Sequence, residues 1–161
     1  MADADFFLKI NGIPGESAKD GHKDEIEILS WAWGENNSGS HSTGGGGGAG
    51  KVSMQDFSFS MPSNKASPEL FFACATGKHI PDALLSCRKA GGKQQDFLKI
   101  KFTDLLISSY QTGGSPGSGI PQETIAFNFA KIEVSYAPQK GDGPLGAFVT
   151  HWYDVKQTKG A

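Results

Sequence analysis

The chain has 161 residues and a formal net charge of −2, with 37% hydrophobic and 20% charged side chains. That balance excludes a disordered chain and supports one domain, residues 1–161, with a real core. No basic excess exists to track a phosphate backbone, which argues against a nucleic-acid partner, and no apolar run reaches the length of a membrane span.

Strand patterns dominate. Phe6, Leu8 and Ile10 alternate with Phe7, Lys9 and Asn11, and a turn follows at Gly12–Gly15. Ile26 and Ile28 alternate with Glu25 and Glu27, which places both carboxylates on a solvated face. Trp31 and Trp33 are two residues apart, so in a strand both rings share one face. Two readings stay open for them: core residues of a barrel, or anchors buried between subunits. A glycine-serine segment comes next, and the whole stretch 34–50 is expected to be a mobile loop.

Residues 52–61 read as another strand, with Phe57, Phe59 and Met61 on one side. A single short α-helix is predicted at about Ser67–Gly77. Ser67 is the expected N-cap, Pro68 the first helical position, and Gly77 the C-terminal stop. Leu98, Ile100 and Phe102 alternate with Lys99 and Lys101, and the apolar phase then shifts to Leu105 and Ile107. After a loop at Thr112–Gly119, Ile125, Phe127 and Phe129 alternate, and the phase shifts again to Ile132, Val134 and Tyr136. Such slips need a bulge or a sharp bend, and bends of this kind close a sheet into a barrel. The expected fold is therefore mainly β: a small closed β-barrel of bulged or bent strands with one short helix. The polar tail, residues 156–161, is expected to fray.

Catalytic chemistry is hard to find. Gly45–Lys51 fits a phosphate-loop pattern until residue 52, where Val replaces the required Ser or Thr. His22, His41, His79 and His151 lack metal-ligand spacing and read as solvated or capping groups. No nucleophile elbow appears. The expectation is no enzyme, no cofactor and no metal. Cys74 and Cys87 read as reduced, mostly buried thiols. The acidic N-terminus lacks the pattern of a secretory signal, which points to synthesis in the cytoplasm without a leader. A carbohydrate-binding module with Trp31 and Trp33 as a stacking platform is the main alternative to an assembly protein; a hydrolase using Asp24, Glu25 or a histidine has no motif behind it.

An ordered set of segments then carries a resemblance. Phe7-Leu-Lys-Ile10, Gly15-Glu-Ser17, His22 with Asp24-Glu-Ile26, and Ser30-Trp-Ala-Trp-Gly34 come first. Gln55-Asp-Phe57, Ala66-Ser-Pro-Glu-Leu70, Gly77-Lys-His-Ile80, Arg88-Lys-Ala-Gly-Gly92, Phe127-Asn-Phe-Ala-Lys-Ile132 and Tyr136-Ala-Pro-Gln139 follow. Together they resemble the Hcp family (haemolysin-coregulated protein), the tube protein of the bacterial type VI secretion system. The resemblance implies hexameric rings that stack into a tube inside a contractile machine, with sheath, spike and baseplate proteins as partners. It implies effector proteins carried and chaperoned in the channel, and export of the subunit on firing without a signal peptide. It also implies that Trp31, Ala32 and Trp33 lie at the channel or a subunit interface. Ser38, Ser40, His41, Gly46 and Gly50 become candidates for ring stacking. Ala32 departs from the family's usual Trp-Ser-Trp, and Trp152-Tyr153 precede Asp154 where the family often has Gly-Trp.

Overall fold

The computed structural model describes residues 3–39, 51–89, 94–117, 119–140 and 143–161. The protein is mainly β with one short helix. In chain order the elements are β1 (Ala4–Ile10), β2 (Ile26–Ile28), β3 (Ser30–Ala32), β4 (Glu35–Asn37), β5 (Val52–Met54), β6 (Phe57–Pro62), α1 (Ser67–Thr76), β7 (His79–Lys89), β8 (Asp96–Gly113), β9 (Gln122–Tyr136), β10 (Val149–Asp154) and β11 (Lys159–Gly160). The main sheet runs β11-β10-β9-β8-β7-β1-β2, with β6 bridging β9 and β3. Between β2 and β3, Leu29 donates its N–H to the carbonyl of Ser60 in β6 at 2.8 Å. The pair β4–β5 forms a separate two-stranded ribbon.

Period-two patterning builds these strands. In β6, Phe57, Phe59 and Met61 are buried while Ser58, Ser60 and Pro62 alternate with them as half-buried positions. The inward rings form one aromatic cluster: Phe57 lies 4.8 Å from Phe102 and 5.1 Å from Phe127, and Phe102 lies 5.0 Å from Phe129. Ring pairs at such separations contribute about 0.5–1.5 kcal/mol each beyond burial.

The phase slips expected in β8 and β9 are present, and β7 has one too. Buried positions pass from Ile80 to Ala83, from Phe102 to Leu105, and from Phe127 to Ile132. All three slips sit at one level of the sheet. Ile80 pairs with Leu105 and Asp82 with Thr103, which brackets Pro81 against Asp104. Thr103 pairs with Lys131 and Leu105 with Phe129, which brackets Asp104 against Ala130. The strands therefore crease together and stay in register. Pro81 has no N–H to lose there, and Asp104 takes the left-handed conformation at φ 56°. Register shifts do occur, but elsewhere, at Cys87/Arg88 and Ile107/Ser109. At the crease β9 also changes edge partner, from β6 along Gln122–Phe127 to β10 along Lys131–Tyr136.

The helix is where the sequence placed it, but Ser67 is not its N-cap. Ala66 holds that position, without a side-chain cap bond. Ser67 is inside the first turn, and its hydroxyl donates to the buried Glu123 carboxylate at 2.6 Å. The same hydroxyl oxygen accepts the Asn64 N–H at 3.0 Å, ahead of the helix, instead of an N–H of the first turn. Leu70 and Ala73 face the core, and Gly77 closes the helix at φ 67°, where a side chain would strain the backbone.

Other expectations need correction. The tail does not fray: Lys159–Gly160 pairs with β10, and Trp152 and Ala161 exchange N–H···O bonds of 2.8 and 3.0 Å. Part of the stretch 34–50 is ordered, because β4 pairs with β5; residues 40–50 lie outside the described ones. The strand expected over 52–61 is two strands, interrupted where Gln55 donates to the Gly34 carbonyl at 2.9 Å. Strand β8 runs on to Gly113, into the expected loop.

Candidate functional site

Two outer surfaces of the main sheet differ in chemistry. The first belongs to β3, β6, β9 and the far half of β8. Ala32 pairs with Ser58, Ser58 with Ala126, and Ala126 with Ser109. One row along, Ser30 pairs with Ser60, Ser60 with Thr124, and Thr124 with Gln111. Cross-strand partners project to the same side. The result is a four-strand face of small neutral side chains with no charge in either row. Ser30 and Ser60 share a hydroxyl–hydroxyl bond of 2.5 Å across it.

Trp31 lies on the opposite side of β3, in register with Phe59, Ile125 and Tyr110. Its ring stacks on Phe57 at 6.0 Å and meets Phe6 edge-on at 6.2 Å. Trp33 packs on Phe129 at 6.3 Å. The pair thus shares one face, as the spacing requires, and that face is the core; Ala32 between them is exposed. A sugar-stacking platform has no footing in this geometry. Cys87 lies buried in the same core. Burial pushes that thiol up to about 12, so it stays protonated at neutral pH; Cys74 and Cys87 are both free.

The second surface spans β1, β7, the near half of β8, the far half of β9, and β10. One row reads Lys9, Leu84, Lys101, Glu133, Trp152. The next contains Asp82, Thr103, Lys131 and Asp154. Lys131 sits 4.4 Å above the Trp152 ring. Charges of both signs alternate here.

The segment from Pro14 to Glu25 is clasped over one end of this charged surface. His22 stacks on Phe7 at 4.2 Å with the rings 4° from parallel. Its Nδ1 meets Glu25 at 3.0 Å and its Nε2 meets Asp96 at 2.9 Å. Arg88 lies 5.6 Å from the Phe7 ring centre and donates to the Asp20 carbonyl at 2.6 Å. His22 is therefore a buried structural residue, not a solvated one, and Glu25 is buried as its partner rather than standing on the open face with Glu27. Gly15 is required by the same clasp, since a Cβ there would meet the Glu25 carbonyl at 2.4 Å.

A second polar cluster ties the helix to the sheet behind the neutral face. Glu123 accepts from Ser67 at 2.6 Å, Tyr110 at 2.6 Å and Ser63 at 3.1 Å. Burial works to raise this carboxyl, but the surrounding hydroxyls outweigh it and hold the group below its ordinary range. Burial and the bond to Glu123 push the Tyr110 hydroxyl up to about 12.

At the crease, Asp104 accepts from His79 at 2.8 Å and Lys156 at 3.2 Å, and these bonds lower its carboxyl. Ser38 is exposed just beyond β4; Ser40, His41, Gly46 and Gly50 lie outside the described residues. Lys51 leads into strand β5, whereas a phosphate loop leads into a helix. Among the described residues no group of three His, Cys, Asp or Glu side chains is placed to hold a metal ion, and no helix is long and apolar enough to cross a membrane.

Known proteins give a consistent answer. The family described as "Type VI secretion system effector, Hcp" matches residues 7–136. Protein hcp1 of Pseudomonas aeruginosa is 48% identical over 155 residues, covering 95% of this chain and 96% of that protein. A solved type six secretion system protein superposes with a TM-score of 0.94 at 31% identity, covering 99% and 100% of the two chains. Hcp1 of Salmonella typhimurium gives a TM-score of 0.80 at 39% identity, with full coverage of both. These likenesses define a secreted, non-enzymatic component of the type VI system. The chain belongs to the Hcp family of type VI tube proteins.

Proposed function

We propose that this chain is the ring-forming subunit of a type VI inner tube, and that its neutral β3–β6–β9–β8 face lines the channel. The observation that carries this is the pair of registered rows without a charge, Ala32-Ser58-Ala126-Ser109 and Ser30-Ser60-Thr124-Gln111. A wall that many different proteins must pass cannot hold any one of them strongly. Small neutral side chains offer weak hydrogen bonds and no fixed charge to select for or repel cargo. Ala32 sits in this wall, where it removes one hydroxyl without disturbing the pattern.

In this reading the sheet closes into a barrel. Support comes from the path β9-β8-β7-β1-β2, which continues through Leu29 into β3, β6 and back to β9. Six copies form a ring, rings stack head to tail, and effectors travel in the channel until the tube is exported. Head-to-tail contacts that do not close give a filament, as a tube needs. The β4–β5 ribbon and the loop it carries, with Ser38, Ser40, His41, Gly46 and Gly50, reach the next ring. That contact is weak for isolated rings, because a glycine-rich loop loses much entropy on ordering. The sheath, spike and baseplate complete the set of partners.

Light scattering of the purified chain, with negative-stain images of the same peak, tests this. A six-subunit mass with annular particles is the expected result. A monomer at high concentration without rings would overturn it.

A further inference from the structure

The charged surface holds a cavity that assembly into a tube does not call on. It is open-sided, has a volume of about 760 Å³, and lies where the end of β1 meets β7 and the edge of the clasp. That size is ordinary for a small-ligand site, about 300–1,000 Å³. Lys9, Leu84 and Lys101 pair across β1, β7 and β8, so the two lysines flank Leu84 on one side of the sheet. Asn11 extends the ladder by donating its N–H to the Asp82 carbonyl at 3.1 Å. One wall is the turn after β1, closed by the Ile13 N–H on the Ile10 carbonyl at 3.0 Å, with Gly12 at φ 81°. The other wall is 23–25, and it is held from behind. His22 meets Glu25 at 3.0 Å, the Gly15 N–H reaches the Asp24 carbonyl at 2.8 Å, and the Asp24 N–H reaches the Ser17 carbonyl at 2.8 Å. Asp24 takes the left-handed conformation at φ 63°, which a non-glycine residue adopts at a cost, so the surrounding bonds set this wall before anything binds.

Three lysines line the cavity, Lys9, Lys23 and Lys101. Among the described residues none of them forms an ion pair. Of the three carboxylates in the lining, Glu25 is taken by His22, and Asp24 and Asp82 have no cation on them. Three unpaired ammonium groups against two unpaired carboxylates leave one positive charge over. We propose that this cavity binds a single carboxylate carried on an apolar body. The carboxylate sits among the ammonium groups, and the apolar body covers Leu84 and Pro14. One carboxylate neutralises the excess charge, whereas a phosphate chain sets further negative charge against Asp24 and Asp82. Leu84 is only half buried, so covering it removes apolar surface from water. Two sources carry this chemistry: a free organic acid, and a peptide with an apolar residue beside an acidic one. The site does not depend on the ring reading.

The test is a titration of the full chain with hexanoate, followed by amide NMR shifts. Hexanol serves as the uncharged control, acetate as the control without an apolar body, and acetyl-Leu-Asp-amide as the peptide probe. Hexanoate is expected to shift the amides of Lys9, Asn11, Leu84, Lys101 and 23–25, more weakly as salt is added, and to slow amide exchange at 23–25. Hexanol and acetate each bind less tightly than hexanoate. The double variant Lys9→Gln, Lys101→Gln weakens hexanoate by about tenfold. Far-UV circular dichroism checks that it is folded, and Lys23→Gln alone gives a smaller loss in the same direction. Tighter binding of the peptide probe identifies a peptide as the source, and tighter binding of hexanoate identifies a free acid. Absence of binding by both probes overturns the proposal. So do equal affinities for hexanoate and hexanol, shifts centred on other lysines such as Lys131, or unchanged affinity in the double variant.

Discussion

The two outer surfaces of this sheet share one core and differ in almost everything else. The neutral face is built from Ser, Ala, Thr and Gln, held in register across four strands. The charged face carries Lys9, Lys101, Lys131, Glu133 and Asp154, and a buried clasp at His22 pins a loop over it. The same alternation produces both, since each strand sends every second residue to the aromatic core. What differs is the residue left over for the outside. One surface is suited to contacts that must not last, and the other to solvent and charged neighbours.

The largest effect comes from the core that the faces share. Phe57→Ala removes a fully buried ring touching Phe59, Phe102, Phe127 and Trp31. A loss of about 3–5 kcal/mol is expected in urea unfolding, with both faces lost in one transition. Separate transitions for the two surfaces would break the shared-core account. Next is Glu123, behind the neutral face. Its carboxyl is lowered in the fold, so its stabilisation is present above the ordinary carboxylate pKa and is lost as pH falls through the lowered value. Glu123→Gln should flatten the acid limb of the stability profile and leave the neutral limb's slope unchanged. An acid limb identical to that of the unaltered chain would contradict the assignment.

On the charged side, His22→Ala is expected to cost about 2 kcal/mol, because Glu25 and Asp96 lose their shared partner. Amide exchange should accelerate in the segment 15–25 more than in β6 or β9. Uniform acceleration would mean that the clasp is not local. The smallest effects on stability separate the faces most sharply in function. Ala32→Lys and Lys101→Ala should each change stability by about 0.5 kcal/mol or less, since both positions are exposed. Only Ala32→Lys should alter the retention of co-purified cargo and make it dependent on salt. Equal effects from the two variants would remove the functional difference between the faces.

Much of the fold was legible. The alternation at Leu98, Ile100 and Phe102 marked β8, and the phase slips after Phe102 and Phe129 marked the crease. Strand β7 was not legible. Pro81 interrupts it, and burial of Ser86 and Arg88 opposite Leu85 and Cys87 hides its alternation. His22 was misread because its partner Asp96 lies 74 residues away, a separation that no local pattern reveals. The tail was misread because polar composition says nothing about pairing with β10. The neutral face was present in the sequence as Ser58 and Ser60 alternating with Phe57, Phe59 and Met61, and as Thr124 and Ala126 on either side of Ile125. It becomes a surface only through the β6–β9 register, which depends on how strands distant in sequence meet.

The most direct test is an electron cryo-microscopy map of the assembled ring that resolves the strands. The account predicts that Ser30, Ala32, Ser58 and Thr124 line the channel, with Lys9 and Lys101 outside. A channel lined by Lys9 and Lys101 would contradict it.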